Sequence, residues 1–79
     1  MVENIIPDDI LDCRGLSCPL PILRTTKALA KMESGQILEV QSTDPGTKND
    51  LPSFADRAGH EYLGTKDEES FTRSYIKVK

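Results

Sequence analysis

The residues able to do chemistry in this sequence are few: two cysteines, Cys13 and Cys18, and one histidine, His60. Cys18 stands between a glycine turn and two prolines, Pro19 and Pro21, just ahead of an apolar run. Proline in the first turn of a helix costs no hydrogen bond, because the N–H groups there have no intrahelical partner. The spacing therefore puts Cys18 at or just before a helix N-cap, with Pro19 first and Pro21 third in the helix. A thiol in that place lies at the positive end of the helix dipole. A thiolate is stabilised there, and the cysteine pKa falls below its free value of ~8.5. The N–H groups of Leu20 and Ile22 are expected to stay open toward an anion. One local rule is broken, since Leu20 precedes Pro21 and a residue before proline is pushed out of the α region. Such conflicts gather at functional sites. A small buried thiol, with the prolines as mere punctuation, fits the same spacing.

Cys13 ends a short apolar stretch beside Leu11 and reads as a packed core residue. The four residues between the cysteines do not match the two-residue gap of a thioredoxin-type dithiol. A metal site lacks ligands, because the single histidine has no further cysteines to join it. Arg14, in the turn before Cys18, is either a solvated arginine or a source of positive potential for the thiol. His60 begins a strand, and nothing in the sequence brings it to Cys18.

The elements that must hold these residues follow from periodicity. Residues 8–13 have the composition of a strand, and residues 14–17 form a turn. From Leu20 to Glu33, Ile22, Leu23, Thr26, Leu29 and Ala30 share one helical face, with Gly35 as the C-terminal cap. Arg24, Lys27 and Lys31 form a basic stripe on the other face. Residues 36–43 read as a strand, and Asp44-Pro45-Gly46 as a turn. A second helix is expected from about Asp50, with Pro52 in its first turn and Leu51, Phe54, Ala55 and Ala58 buried, ending at Gly59. Residues 60–66 and 70–79 read as two strands joined by an acidic turn. The order β-α-β-α-β-β gives an α/β two-layer sandwich: a four-stranded mixed sheet with both helices on one face and the other face largely solvated.

Composition bounds the rest. Seventy-nine residues make one domain, with residues 1–7 read as a flexible lead-in. With 37% apolar residues, two Phe, two Tyr and no Trp, the core is small and aliphatic, so chemistry belongs on the surface. Ten basic and thirteen acidic residues, a net charge of −3, argue against direct nucleic-acid binding. The acidic start lacks a signal peptide's features, and no apolar stretch approaches a membrane span, so a cytoplasmic protein is expected. A monomer without cofactor is the simplest expectation.

The stretch LDCRGLSCPLPIL resembles the N-terminal signature of the TusA (SirA-like) sulfur carrier family, L-D-x-R-G-L-x-C-P-x-P. TDPGTKNDLPSFA is similar to that family's second signature. The resemblance covers nearly the whole chain and implies the same β-α-β-α-β-β sandwich. It further implies a sulfurtransferase in the sense of a persulfide carrier. Cys18 would accept sulfane sulfur, with Arg14, Gly15, Pro19 and Pro21 as the supporting motif. Donors in the family include cysteine desulfurases and rhodanese-like proteins. Acceptors include relays for tRNA thiolation and complexes of sulfur oxidation.

Asp44, Lys48 and Asp50 belong to the second signature. Turn-making by Asp44 and helix capping by Asp50 explain two of them, and a partner-facing surface is the alternative. The stripe of Arg24, Lys27 and Lys31 is a solvated helix face or a docking surface. Two rival functions remain open from the residues: a non-catalytic binding or regulatory module, and a redox protein pairing Cys13 with Cys18.

Overall fold

The computed structural model describes residues 5–17 and 19–79. Its elements are β1 (Asp9–Cys13), α1 (Leu20–Ala30), β2 (Ile37–Ser42), α2 (Pro45–Ala58), β3 (Glu61–Asp67) and β4 (Thr72–Lys77). The strands lie in the order β1-β2-β4-β3, with β1 parallel to β2 and the other pairs antiparallel. Both helices pack on one face, as the sequence pattern requires. Alternation along each strand sends Leu38, Val40, Ile76 and Cys13 to that face, where they meet Leu29, Leu51 and Ala55. Register keeps these partners together, with Leu11 opposite Val40 and Leu38 opposite Ile76. Of the lead-in expected over residues 1–7, residues 1–4 lie outside the described residues.

The helices differ from their sequence-based outlines. α1 ends at Ala30, and its C-cap is Lys31, whose N–H donates to the Ala28 carbonyl at 3.2 Å, while the Met32 N–H donates to that of Leu29 at 3.1 Å. Gly35 (φ 90°) instead shapes the following turn and donates to the Val78 carbonyl at 2.7 Å. The buried residues of α1 are Pro21, Thr25 and Leu29. Of the expected face only Leu29 is fully buried; Ile22 is half-buried, while Leu23, Thr26 and Ala30 are exposed. Thr25 can replace an apolar residue because its hydroxyl donates to the Pro21 carbonyl at 2.7 Å.

α2 begins at Pro45 rather than near Asp50. The Asp-Pro-Gly segment is a helix start: Asp44 is the N-cap and Pro45 the first helical residue. Pro52 consequently sits inside the helix, where one backbone donor is missing. Leu51 and Ala55 are buried as expected, Phe54 is half-buried, Ala58 is exposed, and Thr47 joins the buried side. Gly59 ends α2 in the left-handed region at φ 83°, as expected.

The sheet's other face is less solvated than the sequence suggests. Glu39 and Tyr75, cross-strand neighbours there, are only 3% and 4% exposed. Arg73 explains this, folding over the sheet to donate to Glu39 at 2.7 Å and Glu68 at 2.8 Å. Gln41 adds a bond to Glu39 at 2.7 Å. A buried carboxylate persists because it is paired and hydrogen-bonded.

Candidate functional site

Three connections meet beyond the C-terminal ends of β1 and β2. The β1–α1 loop is tied to the end of β2 by the Gly15 N–H, which donates to Thr43 Oγ1 at 2.9 Å. The same loop touches the β3–β4 turn, with Arg14 Cζ 5.3 Å from the centre of the Phe71 ring. Beside them runs a groove of about 240 Å³ whose lining includes Thr43, Asp44, Lys48, Glu68 and Phe71. Gly15 takes φ 83°, which a side chain would strain, and this turns the chain from β1 toward α1.

Cys18, the residue of greatest interest, lies outside the described residues. Its flanks are clear. Pro19 is the N-cap of α1 (φ −98°, ψ 11°), so the helix starts one residue later than the sequence reading has it, and Pro21 is second rather than third. Leu20 is helical although it precedes Pro21, and the Pro21 ring is fully buried with its carbonyl bonded to Thr25, which offsets the local conflict. The Leu20 N–H is not open to an anion, since it donates to the Ser17 carbonyl at 3.0 Å. The α-helical partner of the Ile22 N–H would be the carbonyl of residue 18. Pro19 has no side-chain group to cap the helix, and no acidic residue occupies the first turn.

Arg14 does not stand as a free positive charge. Its backbone N–H, Nε and Nη2 all donate to the Asp12 carboxylate, at 3.0, 3.0 and 3.1 Å. These bonds hold the Asp12 carboxyl below the usual carboxylate range and push the Arg14 guanidinium up. The potential that Arg14 adds near residue 18 is thus largely offset by Asp12.

Cys13 is fully buried, as the sequence reading has it. Burial pushes its thiol up, the Arg24 charge opposes this and the Asp12 charge adds to it. A buried neutral thiol is a poor nucleophile.

The second signature is resolved differently from its reading. Asp44 caps α2, its carboxylate accepting from the Thr47 N–H at 3.1 Å and the Thr47 hydroxyl at 3.0 Å. Asp50, expected to be the cap, lies inside α2 and is exposed. Lys48 reaches from α2 to Asp67 at 2.8 Å. The fold thus brings Arg14, Gly15, Asp44 and Lys48 to one end of the sheet. Arg24, Lys27 and Lys31 are exposed along α1. His60 lies at the opposite end, in an open hollow of about 690 Å³ with Asp56, Lys77 and Lys79, and its Nδ1 accepts from the Lys79 N–H at 3.2 Å. Three residues of the site escaped the sequence reading: Asp12, Thr43 and Phe71. Asp12 had a signal in its place two residues before Arg14, whereas Phe71 meets the loop only through the tertiary fold.

Among the described residues no group of three His, Cys, Asp or Glu side chains is placed to hold a metal ion. None of their helices is long and apolar enough to cross a membrane.

The family model for sulfurtransferase TusA matches residues 9–78. The chain belongs to the TusA family. Its two signatures, the cysteine loop and the start of α2, lie within that match. The putative sulfur carrier protein YrkI of Bacillus subtilis is 49% identical over 69 residues, which cover 87% of this chain and 92% of YrkI. The sulfur carrier protein TusA of Allochromatium vinosum is 51% identical over 61 residues, covering 77% and 80%. The crystal structure of a SirA-like protein from Desulfitobacterium hafniense superposes with a TM-score of 0.73 at 28% identity, covering 87% of this chain and 95% of that one. Family membership supports a sulfur-carrier role, which in turn implies donor and acceptor proteins as partners.

Proposed function

We propose that this chain carries sulfane sulfur as a persulfide on Cys18 and passes it to a partner protein. The Cys18 thiolate attacks the outer sulfur of a donor persulfide. A new S–S bond forms at Cys18, the donor's own S–S bond breaks, and the donor leaves as a thiolate. An acceptor thiolate then attacks the outer sulfur on Cys18 in the same manner, and Cys18 departs as a thiolate. No net oxidant or cofactor is consumed. The observation that carries the reading is the family match across the Cys-Pro-x-Pro signature. The start of α1 supports it, because its N-cap residue supplies no side-chain acceptor and an anion there is favoured by the dipole. The complete burial of Cys13 disfavours the dithiol redox alternative.

The test is loading by a sulfane sulfur donor, read by intact mass. Wild type and Cys13→Ser are expected to gain one sulfur, and Cys18→Ser none. Loading that survives in Cys18→Ser overturns the assignment.

The donor is of the cysteine desulfurase or rhodanese-like class, and the acceptor is a thiol protein of a sulfur relay in the cytoplasm. Its docking surface is the exposed face of α1, where Arg24, Lys27 and Lys31 lie near Leu20 and Leu23, which are 42% and 50% exposed. Lys48 lies apart from this face, beside the groove, where Asp67 holds its ammonium at 2.8 Å. An acidic partner with an apolar centre fits the α1 face. Reversing the three α1 charges is expected to slow transfer, and salt to slow the wild type. Transfer rates indifferent to both leave the stripe a solvated face.

A further inference from the structure

We infer that Phe71, in the turn between β3 and β4, is a positioning residue whose ring seats Arg14 and so fixes the loop leading into residue 18. A loop that presents a reactive group needs support from outside itself, because loops are otherwise the mobile part of a domain. Two supports are local or adjacent: the Asp12 fork on Arg14 and the Thr43 hydroxyl on the Gly15 N–H. The third comes from the far side of the sheet. Phe71 is half-buried, and two guanidinium groups lie over its ring, Arg14 at 5.3 Å and Arg73 at 5.0 Å. Both are inside the ~6 Å within which a cation is attracted to a ring face.

The ring is itself held. The Phe71 carbonyl accepts from the Glu68 N–H at 2.8 Å, which closes the turn. Arg73 is forked between Glu68 at 2.8 Å and the buried Glu39 at 2.7 Å. A chain of contacts therefore runs from the buried Glu39, on the sheet face away from the helices, through Arg73 and Phe71 to Arg14. Each guanidinium already has a carboxylate partner, so the ring is not needed to neutralise either charge. What it adds is a fixed surface against which the Asp12–Arg14 pair lies, and with it a defined course for residues 14–17.

The inference rests on the sulfur-carrier reading only for the role of residue 18, and the test separates the two. Amide hydrogen exchange is followed by NMR at Arg14, Gly15 and Leu16, with Leu38, Val40 and Ile76 as core references. Phe71→Leu keeps apolar bulk but removes the ring face. Exchange at the three loop amides is expected to quicken roughly three- to fivefold, with the core amides unchanged. Phe71→Tyr, which keeps the ring, is expected to restore protection. Phe71→Met, which also removes the ring but leaves the Asp12–Arg14 fork intact, is expected to quicken the same three amides, and it serves where Phe71→Leu fails to fold. Unchanged loop exchange, an equal rise in the core, or no rescue by tyrosine overturns the inference. Persulfide loading of Cys18, measured on the same samples, is expected to slow in Phe71→Leu and recover in Phe71→Tyr. A wild type that takes up no sulfur on Cys18 removes the carrier reading and leaves the exchange result to decide the clamp.

Discussion

The two helices start at the same end of the sheet, each with a proline in its opening residues, and they are finished in opposite ways. α2 is closed: Asp44 accepts from both the N–H and the hydroxyl of Thr47, so the positive end of the helix meets a carboxylate of its own chain. α1 is left open by comparison, with Pro19 at the cap position and no acidic residue in the first turn. Their faces differ too. α2 buries Thr47, Leu51 and Ala55, and α1 buries Pro21, Thr25 and Leu29 but also leaves Leu20 and Leu23 largely exposed. Both helices anchor the core, and α1 alone adds two exposed leucines and a start without a side-chain cap.

The largest test of that contrast is truncation on each helix. Leu51→Ala is expected to cost about 2–5 kcal/mol, the range for emptying a buried leucine site. Leu23→Ala, at a residue 50% exposed, should cost within about 0.5 kcal/mol. Urea unfolding measures both, and similar losses would break the comparison. A smaller effect is expected at the closed helix start. Asp44→Ala should lower stability by about 1 kcal/mol, the usual cost of losing an N-cap side chain. Asp44→Asn, which keeps an acceptor, should recover most of it. A neutral alanine substitution would mean that Pro45 alone sets the helix start.

The element order was legible in the sequence because it depends on local periodicity and on the turn residues between the elements. So was the fate of Cys13, a small thiol at the inner end of a strand. The starts of the helices were harder. Asp44-Pro45-Gly46 satisfies a turn and a capped helix start equally well, and only the burial of Thr47 and Leu51 on one face decides for the helix. In α1 the inward face was misjudged because Thr25 and Pro21 are not apolar by type. Both are buried because one satisfies the other through a single hydrogen bond. At the site, the signature residues were legible, but their partners were not. Asp12 takes up the charge assigned to Arg14, and Phe71 reaches the loop from across the sheet. The Asp12–Arg14 pair is local, but the Phe71 contact is set by register between distant strands, which no local pattern records.

The finest test converts the open helix start into a closed one. Pro19→Asp puts a carboxylate at the α1 cap position, as Asp44 stands at that of α2. Pro21 has no N–H to donate, so the Ile22 N–H is the first-turn donor within the capping range of that side chain. The carboxylate would compete with a thiolate at Cys18 for the same dipole and repel it as a like charge. Both effects disfavour the thiolate, so the midpoint of Cys18 alkylation should move up. A helix-end charge is worth about 0.3–1 kcal/mol at an exposed site, which corresponds to a rise of about 0.2–0.7 pH unit. The reference is Pro19→Ala, so that release of the proline ring is common to both, and a Cys13→Ser background leaves one thiol to titrate. Pro19→Asn separates the causes, since it offers an acceptor without a charge. A rise with aspartate alone assigns the effect to charge, and an equal rise with asparagine assigns it to competition for the N–H. No rise with either means that the α1 start does not tune this sulfur, and that the partner protein must ionise it on docking.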